Sequence, residues 1–167
     1  MPDFITHYDS PLGRLEIWGT ETHLSAVLFA ETKKRPHSPR PATETSSPPL
    51  RECIAQLKAY FAGTLHVFDL PLQPQGTEFQ RKVWTELGTI PFGKTQSYLQ
   101  LARALGDEKC IRAAASANGH NPLSIVIPCH RVIGSDGKLV GYGGDLWRKR
   151  WLLEHEQTHT IGKWSLF

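Results

Sequence analysis

The run Ile-Pro-Cys-His-Arg-Val-Ile at residues 127–133 constrains this chain more than any other feature of its sequence. It places a thiol, an imidazole and a guanidinium in consecutive positions, directly after the apolar residues 123–127. Pro128 cannot donate to a sheet, so we expect it to end a strand over those residues and to turn the thiol of Cys129 out of the core. Nearby His and Arg lower a thiol pKa, so this context favours a reactive cysteine.

Ordinary packing is the alternative for Cys129, because a lone cysteine beside an apolar strand is commonly a small buried hydrophobe. A reactive pair also faces a geometric difficulty. Neighbouring side chains of a regular strand point to opposite faces, which separates Cys129 from His130. Either the backbone twists here or a water relays the proton between them.

Length and composition limit the class of protein. With 167 residues and 40% hydrophobic content, the chain can form one moderate domain or two small ones and is not wholly disordered. No stretch approaches the roughly 20 apolar residues of a membrane-spanning helix. Residues 1–10 lack signal-peptide features, so we expect a cytoplasmic protein without membrane contact.

The net charge of +3 is by itself weak evidence for a nucleic-acid partner. The distribution of the charge says more, because many basic residues fall in the C-terminal part: Lys109, Arg112, Arg131, Lys138, Arg148, Lys149 and Arg150. The three cysteines form neither a disulfide framework nor a Cys-x-x-Cys zinc motif. Dinucleotide and P-loop motifs are also missing, so we expect no metal and no cofactor.

The N-terminal third predicts a small sheet with one helix. Alternating apolar residues and turn signals predict three strands, at residues 4–8, 15–18 and 24–29. Residues 31–49 hold five prolines and predict an exposed flexible loop. A helix is predicted over residues 50–61, with Cys53 as a packing residue and an apolar face of Leu50, Ile54, Leu57 and Phe61. Residues 67–72 predict one more strand.

The remainder predicts helices. Thr77 can cap a helix over residues 78–89, whose core-facing residues are predicted to be Phe79, Val83, Trp84 and Leu87. Ser97 starts a shorter helix to residue 105, and a third helix spans residues 109–118. Two helices joined by a short Gly-containing turn are typical of a DNA-binding helix-turn-helix, with a plain αα-hairpin as the alternative. The third helix is unusually small in bulk, since residues 113–117 read Ala-Ala-Ala-Ser-Ala.

The run at 127–133 resembles the active-site signature of the O6-alkylguanine-DNA alkyltransferases, also called methylated-DNA–protein-cysteine methyltransferases. The resemblance is close over residues 75–156 and loose before them. It implies an α/β (α+β) protein of two domains. Residues 1–73 would form a small N-terminal domain with a three-stranded sheet and a helix, and residues 74–167 a mainly helical C-terminal domain with a winged-helix-like helix-turn-helix.

The resemblance also implies a reaction. Cys129 would accept a methyl or alkyl group from O6 of guanine, and from O4 of thymine as well, in one irreversible stoichiometric transfer. His130 matches the histidine that takes the thiol proton through a water. Glu156 matches the glutamate that orients this histidine, although His155 competes with it. Asn121 matches the asparagine that braces the turn holding the cysteine.

Tyr142 matches the tyrosine that donates a hydrogen bond to the base. Val132, Gly143 and Gly144 would line the same substrate pocket, and glycine there lets the backbone approach the base closely. A plain surface turn is the alternative for the Gly-Tyr-Gly-Gly segment at residues 141–144.

The implied partner is double-stranded DNA containing O6-alkylguanine, bound by a monomer in the minor groove with low sequence specificity. Arg112 matches the arginine that fills the space left by the flipped base, and Tyr98 the tyrosine that crowds the adjacent phosphate. The small side chains of the third helix suit this use, because they offer few hydrogen bonds for reading bases. Further candidate contacts to DNA are Ser97, Ala113, Ala114 and Gly119.

Two other functions compete with this one. A cysteine hydrolase brings Cys and His together from distant positions, whereas Cys129 and His130 adjoin. A binder of damaged DNA without chemistry is the other, since alkyltransferase-like proteins carry tryptophan where this chain has Cys129. Some members of the family hold a structural zinc in the N-terminal domain, but here no cysteine precedes Cys53.

Overall fold

The structure, a computed structural model, describes residues 3–32, 42–140, 142 and 145–164, with side chains as far as residue 160. Within these residues the strands are β1 Phe4–Ser10, β2 Gly13–Gly19, β3 Leu24–Phe29, β4 Thr43–Glu44, β5 Gln96–Ser97 and β6 Val132–Ile133. The helices are α1 Pro48–Phe61, α2 Glu78–Leu87, α3 Tyr98–Ala104, α4 Ile111–Gly119 and α5 Leu146–Trp164. Short 3-10 turns cover Glu108–Cys110 and Cys129–Arg131.

The N-terminal sheet has the order β3-β2-β1-β4 and contains the three predicted strands. The β1–β2 hairpin closes where Ser10 faces Gly13, whose φ of +105° suits glycine. The sheet has four strands instead of the predicted three, because β4 pairs parallel with the start of β1. This strand lies inside the predicted loop 31–49, of which residues 33–41 are outside the described residues.

Helix α1 covers the inner face of the sheet. It begins two residues before its predicted start, since proline is favoured in the first turn of a helix. Its buried stripe contains Leu50, Cys53, Leu57 and Tyr60, while Ile54 and Phe61 are only partly buried. The strand predicted at residues 67–72 is absent: that segment makes one isolated bridge, from Leu72 to Leu24.

Helices α2 and α3 begin where their caps predict. Thr77 and Ser97 each accept a hydrogen bond from the backbone N–H three residues later, and Oε1 of the Gln at that position accepts one from the backbone N–H of the capping residue. α2 ends at Leu87, two residues before its predicted end. The prediction that Phe79 faces the core is wrong: it is 36% exposed, because it lies in the first turn of α2, one turn before Val83, where the buried stripe of the helix begins.

The small residues of α4 serve close helix packing on one face. Ala114 and Ala117 are buried against the core, where α4 contacts α2 and α3. The indole N–H of Trp84 on α2 donates to the carbonyl oxygen of Ala117 at 2.8 Å, near the C-terminal end of α4. Arg112 and Ala113 lie on the exposed face.

Residues 123–127 form turns, so the strand predicted there is wrong. Only Leu123 makes a bridge, to Val27 of β3. Ile125 then takes a φ of +72°, which reverses the chain and which a β-branched residue rarely adopts. The backbone N–H of Ile127 donates to the carbonyl oxygen of Leu123 and closes the turn.

Helix α5 has 19 residues, but charged side chains are spread along it. Among the described residues no helix combines the length and the apolar character needed to cross a bilayer.

We predict that Trp84→Phe lowers the free energy of unfolding by about 1–3 kcal/mol, because it removes the buried indole donor and leaves the carbonyl of Ala117 only the longer bond from the His120 N–H. Urea titration measures the loss. The matched control is Trp147→Phe, since Trp147 is 54% exposed and should change stability by less than about 0.5 kcal/mol. Equal losses in the two variants would contradict the role of the indole N–H.

Candidate active site

Cys129 opens the 3-10 turn that follows Pro128. The prediction that Pro128 turns its thiol out of the core is wrong, because Cys129 is only 4% exposed. The residues on both sides curl back instead of continuing as a strand: the Cys129 N–H donates to the carbonyl oxygen of Ile127 at 2.8 Å. The backbone therefore leaves strand geometry between Cys129 and His130, but Nδ1 of His130 makes no hydrogen bond to the thiol, so the water relay remains the proposed route for the proton.

Asn121 closes the turn that carries the cysteine. Its Nδ2 donates to the carbonyl oxygens of Ile127 at 2.8 Å and Leu123 at 3.3 Å, and its Oδ1 accepts from the Leu123 N–H at 3.0 Å. Asn118, at the end of α4, donates to the carbonyl oxygen of Cys129 at 3.3 Å. Two buried amides therefore fix the backbone around the thiol.

The thiol of Cys129 is protonated at neutral pH. Burial raises its pKa above the ordinary value, and the Asn121 side chain and the positive charge of Lys149 only partly oppose this. A thiolate is the reactive form, so this cysteine needs a base.

The base candidate, His130, lies on a buried carboxylate. Its Nε2 is 2.6 Å from Oε2 of Glu156. Arg131 donates to the same carboxylate from Nε at 2.8 Å and from a terminal nitrogen at 3.1 Å. Glu156 also accepts from the Tyr60 hydroxyl at 2.7 Å and from the Gly93 N–H at 3.2 Å.

These donors decide the charge of Glu156. Burial alone would raise its pKa, but His130 and Arg131 hold that pKa well below its usual range. A carboxylate can only accept, so the proton of the neutral imidazole lies on Nε2 of His130 and the lone pair lies on Nδ1. Burial lowers the pKa of His130, which keeps the ring neutral at pH 7. Its Nδ1 is buried without a hydrogen-bond partner among the described residues.

Glu156, and not His155, is therefore the partner of His130. The ring of His155 turns toward α1, where Nε2 is 2.8 Å from the carbonyl oxygen of Tyr60, and it stacks on Trp151. Tyr60 thus contacts two successive residues of α5, and sequence reasoning did not find it.

Tyr142 places a phenol near the thiol of Cys129. Its ring is buried, and its hydroxyl is without a hydrogen-bond partner among the described residues. Burial and the nearby Cys129 raise its pKa well above the ordinary value, so it remains a proton donor. Gly143 and Gly144, predicted to line the pocket with it, lie outside the described residues. Val132 is fully buried in β6.

Three of the basic residues counted in the C-terminal part are buried, so they do not contribute to an exposed basic surface. Arg131 holds Glu156 and the carbonyl oxygen of Ile90, and Arg148 donates to the carbonyl oxygen of Leu12. Lys149 donates to the carbonyl oxygens of Val132 at 2.6 Å and Val140 at 2.8 Å. Burial lowers the pKa of Lys149 to about 8, and it lies close enough to Cys129 to act on the thiol.

The candidate DNA contacts separate into exposed and buried residues. Arg112 and Ala113 are exposed on α4, and Gly119 is partly exposed at its end. Ala114 is fully buried, so its predicted contact with DNA is wrong. Ser97 caps α3, and the hydroxyl of Tyr98 donates to the carbonyl oxygen of Val140 at 3.0 Å, beside the cysteine.

No group of three or more His, Cys, Asp or Glu residues in the described part of the chain is arranged to hold a metal ion.

Two family models match this chain. The DNA-binding domain of 6-O-methylguanine DNA methyltransferase matches residues 78–158, and the ribonuclease-like domain of the same protein matches residues 4–74. The chain therefore belongs to the 6-O-methylguanine DNA methyltransferase family.

Curated relatives and solved structures agree with the family. A methylated-DNA–protein-cysteine methyltransferase of Mycolicibacterium paratuberculosis is 44% identical, over 95% of each chain. One of Methanosarcina barkeri is also 44% identical, over 90% of this chain and 95% of that one. The crystal structure of Mycobacterium tuberculosis OGT in complex with DNA has a TM-score of 0.84 at 44% identity, covering 93% of this chain and 94% of that one.

We predict that Glu156→Gln lowers the free energy of unfolding by about 3–5 kcal/mol, because it leaves the buried guanidinium of Arg131 without a counter-charge. Chemical denaturation measures this loss. Glu154→Gln is the control, since Glu154 lies on the exposed face of the same helix. Comparable stability of the two variants would show that the buried carboxylate is not the central anchor.

We also predict that stability falls in acid in two stages. The pKa of His130 is lowered in the folded state, so its contribution is present above about pH 6.5 and is lost as the pH falls below that. The lowered pKa of Glu156 adds a second loss, which begins below about pH 4.5. Urea midpoints between pH 8 and about pH 3 test both stages, and a midpoint that stays constant over that range would contradict the prediction.

Proposed function

We propose that this protein repairs DNA by transferring an alkyl group from O6 of guanine to Sγ of its own Cys129, once per molecule. The observation that carries the proposal is the buried series Cys129, His130 and Glu156 in a chain of this family. It combines a thiol that needs a base with an imidazole whose Nδ1 is available as one. A nucleophile, a base and a group that orients the base are the parts that covalent catalysis requires.

The proposed step balances without a co-reactant. Nδ1 of His130 takes the thiol proton through a water, and the charge on Lys149 stabilises the thiolate. Sγ attacks the alkyl carbon, the S–C bond forms, and the C–O6 bond breaks with its electron pair on O6. The departing guanine recovers the proton. The thioether product is not cleaved by water or thiols, so each molecule acts once.

Tyr142 is proposed to assist the leaving group. Its hydroxyl is buried and protonated and makes no hydrogen bond to the described residues, so it can donate to a nucleobase bound in the pocket. A hydrogen-bond donor directed at the oxygen on which negative charge develops stabilises the transition state much more in a water-excluded site than in water. The same pocket is proposed to accept O4-alkylthymine.

Double-stranded DNA is the proposed substrate, and a crystal structure of a 44% identical relative contains DNA. Arg112 and Ala113 lie together on the exposed face of α4, which otherwise presents little bulk. Such a surface suits the narrow minor groove and low sequence specificity. We propose that a monomer binds there, that Arg112 fills the space left by the flipped base, and that Tyr98 and Ser97 lie near the adjacent phosphate.

Intact-mass analysis after mixing with a duplex that contains O6-methylguanine tests the reaction. We expect one methyl on the wild type, located at residue 129, and none on Cys129→Ser. Cys110→Ser is the matched control and should gain the methyl, because Cys110 is outside the site. Clearance of a molar excess of lesions, or a methyl on any other residue, would contradict the proposal.

Base flipping gives a second prediction. Extruding a paired base costs a few kcal/mol, which an unpaired base does not require. Arg112→Ala should therefore slow transfer from a duplex about tenfold or more while changing transfer from a single strand little. Arg51→Ala removes an equal charge from α1 as the control. Equal slowing on both substrates would oppose a role in flipping.

A further inference from the structure

Strand β3, at the edge of the N-terminal sheet, contacts the candidate active site in two places. Val27 exchanges backbone hydrogen bonds with the turn before Cys129: its N–H donates to the Pro122 carbonyl oxygen at 2.9 Å, and its carbonyl oxygen accepts from the Ser124 N–H at 3.1 Å. Two residues later, the buried ring of Phe29 meets the ring of Tyr142 edge-on, with centroids 6.4 Å apart. The N-terminal sheet therefore contacts both the turn of the nucleophile and the phenol.

A buried arginine completes this contact. The guanidinium carbon of Arg148, in the first turn of α5, lies 4.5 Å from the centroid of Phe29. Its Nε donates to the carbonyl oxygen of Leu12 in the β1–β2 turn at 2.8 Å. A cation over an aromatic face is attracted most strongly when both are desolvated, as here. Arg148 thus connects α5 to two points of the N-terminal sheet.

The same arginine holds Asp145, three residues after Tyr142. One of its terminal nitrogens lies 3.4 Å from the carboxylate of Asp145, and its backbone N–H donates to the carbonyl oxygen of Asp145 at 3.2 Å. Asp145 has a φ of +72°, a conformation that a non-glycine residue keeps only when its surroundings impose it. The Asp145 N–H in turn donates to the carbonyl oxygen of Tyr142 at 3.3 Å.

We propose that Phe29 and Arg148 are positioning residues for alkyl transfer, through which the N-terminal domain holds the Tyr142 hydroxyl in its working orientation beside Cys129. Phe29 contacts the ring of Tyr142 edge-on, and Arg148 holds both Phe29 and Asp145, whose N–H donates to the carbonyl oxygen of Tyr142. This inference rests on the proposed function, because it assigns the contact a part in that reaction.

The charge of Arg148 also supports a role in positioning and tuning the Tyr142 hydroxyl. Burial raises the pKa of Tyr142, and the positive charge of Arg148 opposes that rise. Arg148 therefore makes the phenol a stronger hydrogen-bond donor toward the oxygen that leaves.

The test uses Phe29→Leu, Arg148→Met and the conservative Arg148→Lys in the full chain. Phe4→Leu is the control, since Phe4 is a partly buried phenylalanine in β1, away from Tyr142. Single-turnover rates are measured over a range of duplex concentrations with O6-methylguanine DNA, and separately with free O6-benzylguanine. Labelling of Cys129 by iodoacetamide reports the thiol without using Tyr142, and thermal unfolding reports the fold.

We expect Phe29→Leu and Arg148→Met to lower the saturating rate about 10- to 100-fold with both substrates, as a misplacement near 1 Å does. The half-saturating duplex concentration and the iodoacetamide rate should stay within about twofold of wild type, and Arg148→Lys should fall in between. Adding either change to Tyr142→Phe should cost little more, because residues that act through one group are not additive.

Wild-type saturating rates in both variants would overturn the inference, as would an undiminished cost in the Tyr142→Phe background. A parallel loss of iodoacetamide labelling would overturn it too, since the variants would then act on the thiol or the fold. Failure of the proposed function is distinguishable, because it appears as absent methyl transfer in the wild type.

Discussion

The buried carboxylate of Glu156 is the interaction on which the rest of the structure depends. It receives hydrogen bonds from Tyr60 of α1, from the backbone at Gly93 and from both His130 and Arg131. A buried charge is tolerated only when it is paired and fully hydrogen-bonded. Three segments distant in sequence must therefore meet at one side chain of α5, and this requirement fixes the cysteine turn against α1 and α5.

The same requirement produces the chemistry. A carboxylate held ionised by Arg131 fixes the proton of His130 on Nε2, which leaves Nδ1 as the basic atom. Burial keeps the thiol of Cys129 protonated and the imidazole neutral, so the resting site is an uncharged pair beside an anchored charge. Lys149 adds a cation whose own pKa of about 8 reflects its burial. The site thus forms a thiolate only as a proton is transferred.

Local signals in the sequence predict the helices and the candidate nucleophile. They do not predict the long-range contacts. The caps at Thr77 and Ser97 located α2 and α3 because capping depends on residues three positions apart. The apolar run around Ile125 predicts a strand because the positive φ of Ile125 is imposed by tertiary packing, which the local sequence does not show. Tyr60 lies 96 residues from Glu156, so no motif joins them. The buried position of Lys149 leaves no sequence signal either, because its acceptors are backbone carbonyls that any residue can supply.

The most direct test of this account is the protonation state of the His130 imidazole. Nitrogen NMR of protein labelled with 15N at histidine, assigned through a His130 variant, reports which nitrogen of His130 carries the proton. The account predicts a neutral imidazole at pH 7 with its proton on Nε2 and a free lone pair on Nδ1. An imidazolium at that pH, or a neutral ring protonated on Nδ1, would contradict it.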